Sequence, residues 1–197
     1  MAATFEAFGY PQPALAEVRL TVGLTLEQAI RRLVSDRCDD GRIQSMIATY
    51  RDLHRQKAAA MASLFEGTLE TLVFLRSRGI QSILVSNRGR RGLHQLTERL
   101  GIKDHLDAIL GADEVAHRKP DARLFTESVV PLLAGADPQE VLVVGDTEWD
   151  LLFARNAGLE SCWASYGYGD PQRCAALNPD FVIPAIADLR NLLRTEG

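Results

Sequence analysis

Three polar segments of the sequence contain the residue types that bind a phosphate group and a metal ion. Residues 86–89, Ser-Asn-Arg-Gly, offer a hydroxyl, a side-chain amide and flexible backbone that can donate hydrogen bonds to a phosphate. Residues 117–120, His-Arg-Lys-Pro, place a lysine before a proline, which restricts the backbone and can set a compact positive charge in a site. Residues 145–150, Gly-Asp-Thr-Glu-Trp-Asp, bring Asp146 and Asp150 together, and Mg²⁺ prefers a few carboxylates plus water and substrate phosphate.

Each segment also has a purely structural interpretation. Ser86 and Asn87 are typical of a turn that caps a following helix, and most loop lysines are simply solvated. Asp150 or Thr147 could serve only as a helix cap. The combination of the three segments in this order favours the chemical interpretation. A nucleotide-binding domain is disfavoured because Gly167-Tyr168-Gly169 follows the wrong kind of element to be a dinucleotide loop.

The three polar segments each follow a short apolar run, which predicts that they stand at strand ends. Predicted strands cover 82–85, 108–110, 141–144, 161–164 and 181–183, and predicted helices cover 68–78, 93–100, 122–133, 150–157 and 186–193. Strands without polar alternation, separated by helices, favour an α/β fold with a doubly wound parallel sheet. Ligands bind at the carboxyl ends of such strands, so we expect the three segments to converge.

Residues 13–63 contain helical patterns and no evident strand. Thr25 and Asp40 are plausible helix caps, and Leu26, Ile30 and Leu33 follow helical spacing. We therefore expect a helical appendage followed by an α/β core.

Composition excludes several classes of protein. The 197 residues are 46% hydrophobic and 24% charged, which is typical of a packed globular chain. A net charge of −4 gives no global basic field, so nucleic acid is not an expected partner. The apolar runs are far shorter than the ~20 residues of a bilayer span, so we expect no membrane association and a cytosolic protein. Cys38, Cys162 and Cys174 lack the spacing of a zinc site or disulfide framework.

An ordered set of motifs closely resembles the haloacid-dehalogenase-like hydrolase superfamily, nearest to its phosphoglycolate-phosphatase-like branch. The resemblance rests on these residues: Leu84-Val85-Ser86-Asn87; Lys119-Pro120 with Leu124-Phe125; and Val144-Gly145-Asp146-Thr147-Glu148-Trp149-Asp150 with Ala154, Ala157 and Gly158. It implies a Rossmann-like core formed by residues 1–12 and 64–197, with residues 13–63 as a helical cap.

The resemblance implies a Mg²⁺-dependent phosphatase of a small phosphorylated metabolite, with a role for each matching residue. Ser86 and the backbone at Asn87 would hold the transferring phosphoryl group, and Lys119 would neutralise its charge. Asp146 would ligate Mg²⁺, while Asp150 would support the metal or orient Lys119. Ser86, Lys119 and Asp146 are thus the expected catalytic residues. Beside them, Arg88 could contact an anionic substrate, although a solvated helix start explains it equally well.

The sequence departs from the family in one respect. Members begin with a strand that ends in Asp-x-Asp-Gly-Thr, whose first aspartate forms an aspartyl phosphate, and no such motif is present; the first aspartate is Asp36. We therefore expect the 197-residue chain to be inactive. The missing strand would leave a gap between strands 82–85 and 141–144, and an intact fold with this gap empty is not expected. The gap could be filled by the chain's own first residues or by a second subunit in a homodimer, the flanking strands could close on each other, or the natural protein could be longer. The alternative function is a non-catalytic relative that binds a phosphorylated ligand or a protein partner.

Overall fold

A computed structural model describes residues 1–34, 38–57, 62–133 and 135–193. Contacts divide the chain into two compact units, Met1–Ser63 and Leu64–Gly197, which are treated separately below. Asp36, the first aspartate of the sequence, lies outside the described residues.

The first unit is helical in its described residues. It contains α1 (Ala2–Ala7), α2 (Leu15–Arg19), α3 (Leu26–Val34) and α4 (Asp40–Lys57). Thr25 caps the start of α3 as predicted: its Oγ1 accepts from the Gln28 backbone N–H at 3.3 Å, and Gln28 Oε1 accepts from the Thr25 backbone N–H at 3.0 Å. Its apolar stripe packs into one cluster with Phe5 of α1 and with Ile43 and Met46 of α4.

The boundary after Ser63 coincides with the predicted end of the helical segment. Residues 1–12, which the family resemblance places with the core, belong to the first unit, where α1 packs against α4. The roles of residues 13–63 as a cap and of residues 1–12 as part of the core stay predictions.

The second unit alternates helices with parallel strands, which confirms the predicted α/β class. Its elements are α5 (Thr68–Ser77), β1 (Ile83–Val85), α6 (Arg90–Arg99), β2 (Ala108–Leu110), β3 (Leu142–Gly145), α7 (Glu148–Ala157), β4 (Glu160–Ala164), α8 (Pro171–Ala175), β5 (Phe181–Ile183) and α9 (Leu189–Leu192). Every predicted strand is present with bounds shifted by one residue at most.

The strands of the second unit form two separate parallel sheets. In the first sheet β1 pairs with β2, and Leu84 lies opposite Ile109. The second sheet contains three strands in the order β3-β4-β5. Within the part of the chain that the structure describes, no strand joins β1 to β3. This arrangement is consistent with the absence of the family's first strand from the sequence.

Two apolar clusters pack on these sheets. One contains Leu124, Phe125 and Phe153, which pack against apolar side chains of β1, β2 and β3. The other joins Leu75 of α5 and Leu189 of α9 with residues of β4 and β5. The first cluster therefore links the two sheets by side-chain packing, although their backbones are not hydrogen-bonded to each other.

The predicted helix over residues 122–133 is present, but most of it is not an α-helix. The chain instead forms a π-helical turn at Phe125–Val129 and a 3₁₀ turn at Val130–Leu132. Pro131 explains part of the difference, because proline has no N–H to continue an α-helical ladder. The predicted helix 186–193 likewise begins as a 3₁₀ turn, Ile186–Asp188, before α9.

Across the described parts of the chain, no helix is long and apolar enough to pass through a bilayer.

Candidate functional site

The loop after β1 is fixed by its own side chains. The Ser86 amide continues the β1–β2 ladder by donating to Leu110 O at 3.0 Å, and Ser86 Oγ accepts from the Arg88 amide at 3.1 Å. The predicted turn is therefore present, but it does not cap the next helix, because the N-cap of α6 is Gly89 with no side-chain cap. A hydroxyl is also a donor, so Ser86 can still donate its hydrogen to an anion. Asn87 Nδ2 donates to Lys119 O at 3.1 Å, which ties this loop to the loop after β2.

Lys119 lies at the carboxyl ends of β1 and β3. Its Nζ donates to Val85 O at 3.0 Å and forms an ion pair with Asp150 Oδ1 at 2.5 Å. The side chain of Lys119 is 14% exposed and that of Asp150 is 10% exposed. The lysine is therefore a buried charge held in place, and the interpretation of Lys119 as a solvated loop residue does not apply.

Asp150 combines a capping role with this ion pair. Its Oδ2 accepts from the Thr147 backbone N–H at 3.0 Å and from Thr147 Oγ1 at 2.7 Å at the start of α7. Its Oδ1 receives the Lys119 ammonium. Both carboxylate oxygens therefore have protein partners. This geometry matches the expectation that Asp150 orients Lys119, and its predicted role as a metal ligand stays a prediction.

Asp146 follows directly after β3 and is half-buried. Its Oδ2 accepts from the Tyr168 backbone N–H at 2.8 Å, and its carbonyl oxygen lies 3.7 Å from Cys174 Sγ. Asp150 is its charged neighbour across the opening turn of α7.

The surroundings shift the pKa values of Asp146 and Asp150 in opposite directions. Burial raises the pKa of Asp146, and the neighbouring charge of Asp150 adds to that rise. Burial also acts to raise the pKa of Asp150, but the Lys119 charge and the hydrogen bonds from Lys119 and Thr147 outweigh it, so the pKa of Asp150 is lowered. Asp150 forms a direct ion pair with Lys119, whereas the Lys119 charge lowers the pKa of Asp146 by less than burial raises it.

The donor chemistry of Asp146, a half-buried carboxylate directly after β3, is the observation by which a metal would fit the site. No group of three or more His, Cys, Asp or Glu side chains in the described ranges is placed to hold a metal ion. A cation here would bind Asp146 and take its other ligands from water and substrate, which is how Mg²⁺ is bound at many phosphate sites.

The structure brings most of the predicted residues together. Asn87 contacts the Lys119 backbone, Lys119 contacts Asp150, and Asp150 adjoins Asp146 through α7. Arg88 belongs to the same loop as Ser86, and its carbonyl oxygen accepts from the Ala112 amide at 2.9 Å. Its side chain is exposed, and its contact with substrate stays a prediction.

Several supporting contacts were missed by sequence reasoning. Glu114 Oε2 accepts from the Gly111 amide at 2.8 Å, and Asp113 Oδ1 accepts from the Arg90 amide at the start of α6. The Tyr168 amide on Asp146 was also missed, because the glycines around it were considered only as a nucleotide loop. A sequence signal did exist, since Gly167 and Gly169 flank a residue just beyond a predicted strand end.

The fold and the site together define a class of protein. Parallel α/β units bind ligands at the carboxyl ends of their strands, and here a hydroxyl, a buried ammonium and a half-buried carboxylate meet at those ends. This combination of groups suits an anion, such as a phosphate, that binds together with a metal cation. A family model described as haloacid dehalogenase-like hydrolase matches residues 1–164, and the chain belongs to this family.

Individual relatives agree with this assignment. The chain is 28% identical over 174 residues to the phosphatase IndB of Dickeya dadantii, covering 87% of this chain and 75% of the relative. It is 30% identical over 192 residues to a phosphoglycolate phosphatase of Pseudomonas putida, covering 94% of this chain and 68% of the relative. Its fold is similar to the structure of a haloacid dehalogenase-like hydrolase from Bacteroides fragilis, with a TM-score of 0.85, 27% identity, and coverage of 95% of this chain and 88% of that one.

Proposed function

We propose that this chain is the phosphate-handling part of a Mg²⁺-dependent phosphatase that acts on a small phosphorylated metabolite. The observation that carries the proposal is the buried Lys119 ammonium, held between Val85 O and Asp150 Oδ1 where β1 and β3 end. Burying a charge is costly, and a structural ion pair could be replaced by apolar residues at little cost. A buried lysine at a ligand-binding edge is better explained by an anionic substrate.

The residues divide the work of phosphoryl transfer, which depends mainly on positioning and charge neutralisation. Ser86 Oγ and the Asn87 backbone bind and orient the phosphoryl oxygens. Lys119 places a positive charge beside them, and Asp150 keeps that charge in position through its ion pair. The exposed Arg88 contacts a second anionic group of the substrate.

Asp146 is the residue that would hold the metal. When bound, Mg²⁺ supplies further charge neutralisation and orients the phosphate. Burial of Asp146 supports the assignment, because it raises the pKa of the carboxyl and a cation would offset that cost. Proton and metal compete for the same carboxylate, so metal affinity falls as pH drops through the raised pKa.

The class of substrate is supported by the relatives and by charge. The named phosphoglycolate phosphatase relative acts on a small molecule with two anionic groups, which suits Lys119 and Arg88. A net charge of −4 disfavours nucleic acid as a partner, and the composition suits a cytosolic enzyme.

The proposed reaction also needs a nucleophilic carboxylate. Asp150 is paired with Lys119, Asp146 is assigned to the metal, and no Asp-x-Asp-Gly-Thr motif occurs in the sequence. We propose that the nucleophile enters on a strand that pairs with β1 and β3, and that the 197-residue form by itself is inactive.

The deciding experiment is hydrolysis of p-nitrophenyl phosphate with Mg²⁺ by the 197-residue chain and by a form extended through any in-frame upstream codons. We expect activity in the extended form alone. In that form, Lys119→Ala and Asp146→Ala abolish hydrolysis, while the exposed control Lys103→Ala leaves it unchanged. Activity that persists in the two site variants would refute the residue assignment.

A second candidate function follows from the absent motif. Retained phosphate-binding residues without a nucleophile favour a non-catalytic protein that binds a phosphorylated ligand or a protein partner. Upstream DNA with no in-frame Asp-x-Asp codons, together with phosphate binding by the chain, would favour this function over the phosphatase.

A further inference from the structure

The segment Gly167-Tyr168-Gly169 lies against the carboxylate that the proposed function assigns to the metal. The Tyr168 backbone N–H donates to Asp146 Oδ2 at 2.8 Å, although the two residues are 22 positions apart. The segment leaves β4 through a turn in which the Gly167 amide donates to Ala164 O at 3.1 Å. The segment therefore runs from the end of β4 back to the end of β3.

Both glycines are required by space and not by backbone conformation. A Cβ atom at Gly167 would overlap the side chain of Asp146, and a Cβ atom at Gly169 would overlap Asp146 O and lie 3.0 Å from Thr147 Cα. Neither glycine has the left-handed conformation found at Gly158. Close approach to Asp146 is thus the physical reason for a glycine at each position.

The far end of the segment is anchored as well. Asp170 caps α8 by accepting from the amides of Gln172 and Arg173 at 2.9 and 3.0 Å. Cys174 of α8 then lies against the Asp146 carbonyl oxygen. Anchors on both sides leave the Tyr168 amide a fixed donor.

We propose that Gly167-Tyr168-Gly169 is the positioning element of the metal ligand: through the Tyr168 amide it fixes the Asp146 carboxylate, which would hold the metal. The inference rests on the proposed function and adds to it a specific segment that sets metal affinity. Tyr168 acts through its backbone amide, which any residue type except proline supplies, while the two glycines provide the space.

The test is the affinity of the 197-residue chain for Mn²⁺, measured by electron paramagnetic resonance of the free ion. Outer partners of metal ligands set affinity by about 10–100-fold, so we expect Gly167→Ala to weaken Mn²⁺ binding by at least ~10-fold. Binding of inorganic phosphate without metal, which depends on Ser86 and Lys119, should be unchanged. A loss of structure alone would lower both affinities together.

The matched control is Gly92→Ala in α6. A Cβ atom there would meet only Arg88 carbons at 3.8 Å or more, so Mn²⁺ affinity should equal that of the unsubstituted chain. Gly169→Ala should behave like Gly167→Ala. Circular dichroism establishes that each variant is folded at the temperature of the titration.

If the glycine variants do not fold, a measurement on the unsubstituted chain tests the positioning role of the Tyr168 amide. Addition of Mg²⁺ should shift the ¹H–¹⁵N resonance of the Tyr168 amide, and Asp146→Ala should remove the shift. A Tyr168 amide that does not respond to Mg²⁺ would overturn the positioning role.

The outcomes separate the two proposals. Unchanged Mn²⁺ affinity in folded Gly167→Ala overturns the positioning role and leaves the proposed function standing. No Mn²⁺ binding by the unsubstituted chain overturns the metal role of Asp146 and the positioning role with it. Weaker Mn²⁺ binding with intact phosphate binding supports both.

Discussion

The Lys119–Asp150 ion pair is the residue-scale feature on which the site depends. The ammonium and carboxylate are nearly excluded from solvent, and each of their contacts is to another site element: the end of β1, the start of α7, or each other. Removing one partner of a buried pair leaves an uncompensated charge, which costs far more than the pair contributes as a unit.

Asp150→Asn should therefore destabilise the protein strongly. We expect the free energy of unfolding to fall by about 3–5 kcal/mol, because Lys119 would remain buried without its counter-ion. Urea unfolding followed by circular dichroism measures the change.

The control is Glu27→Gln, which breaks a pair with Arg31 whose side chains are 42% and 45% exposed. Exposed pairs contribute at most about 1 kcal/mol, so this variant should be nearly neutral. The double variant Lys119→Met with Asp150→Leu should be more stable than Asp150→Asn. Equal losses in the Glu27 and Asp150 variants would contradict the importance of burial.

The lowered pKa of Asp150 also predicts a pH dependence of stability. A carboxyl whose pKa is lower in the folded state than its unfolded value of about 3.9 stabilises the protein fully above that value. The contribution is lost as pH falls through the lowered folded pKa. Asp146, with its raised pKa, acts with the opposite sign, so total stability alone does not isolate Asp150.

The measurement is the difference in unfolding free energy between the unsubstituted chain and Asp150→Asn from pH 7 to pH 3. We expect the difference to be constant down to about pH 5 and to shrink at lower pH. A difference that grows as pH falls would have the wrong sign for this explanation.

At the scale of elements, the site is formed by the loops that follow the carboxyl ends of the parallel strands. β1, β2 and β3 each deliver a polar loop to one edge, and Thr147 starts α7 at that edge with Asp150 as its capping partner. The same elements also leave strand edges unpaired, because β1 and β3 are edge strands in the described sheets. Val144 of β3 is 38% exposed.

Edge strands of this kind favour association, since their unpaired backbone groups can pair with another chain. We propose that the 197-residue chain forms a homodimer through these edges, and we expect its mass in analytical ultracentrifugation to rise with concentration. Val144→Lys should reduce association, because a charged side chain on an edge opposes strand pairing. The control Val73→Lys changes an equally apolar, exposed residue of helix α5, away from the strand edges. A monomer at every concentration would contradict the proposal.

For the whole molecule, the described contacts place the entire candidate site in the second unit. Ser86, Lys119, Asp146 and Asp150 all fall within residues 64–197, so the proposed binding of phosphate and metal belongs to the α/β unit. The first unit has its own apolar cluster around Ile30 and Met46, and its predicted role as a cap would add selectivity for the substrate.

The sequence by itself determined the order of the strands and the residues that follow them. Short apolar strands separated by helices have a strong local pattern, and a lysine or aspartate after a strand end must lie at the ligand edge of a parallel sheet. For this reason Ser86, Lys119 and Asp146 could be placed at that edge from the sequence, while their catalytic roles, which the family resemblance implies, stay predictions. The departure from the α-helical pattern over residues 122–133 could not, because a periodic pattern does not report which backbone hydrogen bonds form.

Only the tertiary structure decided how the site is held. The partners of Lys119 and Asp146 lie 31 and 22 positions away in the sequence, at Asp150 and Tyr168, and no local pattern encodes such contacts. The directions in which the pKa values of Asp146 and Asp150 shift are likewise not visible in the sequence, where both residues are aspartates four positions apart. The Lys119 ammonium and the Thr147 hydrogen bonds lower the pKa of Asp150 against the effect of burial, whereas burial raises the pKa of Asp146.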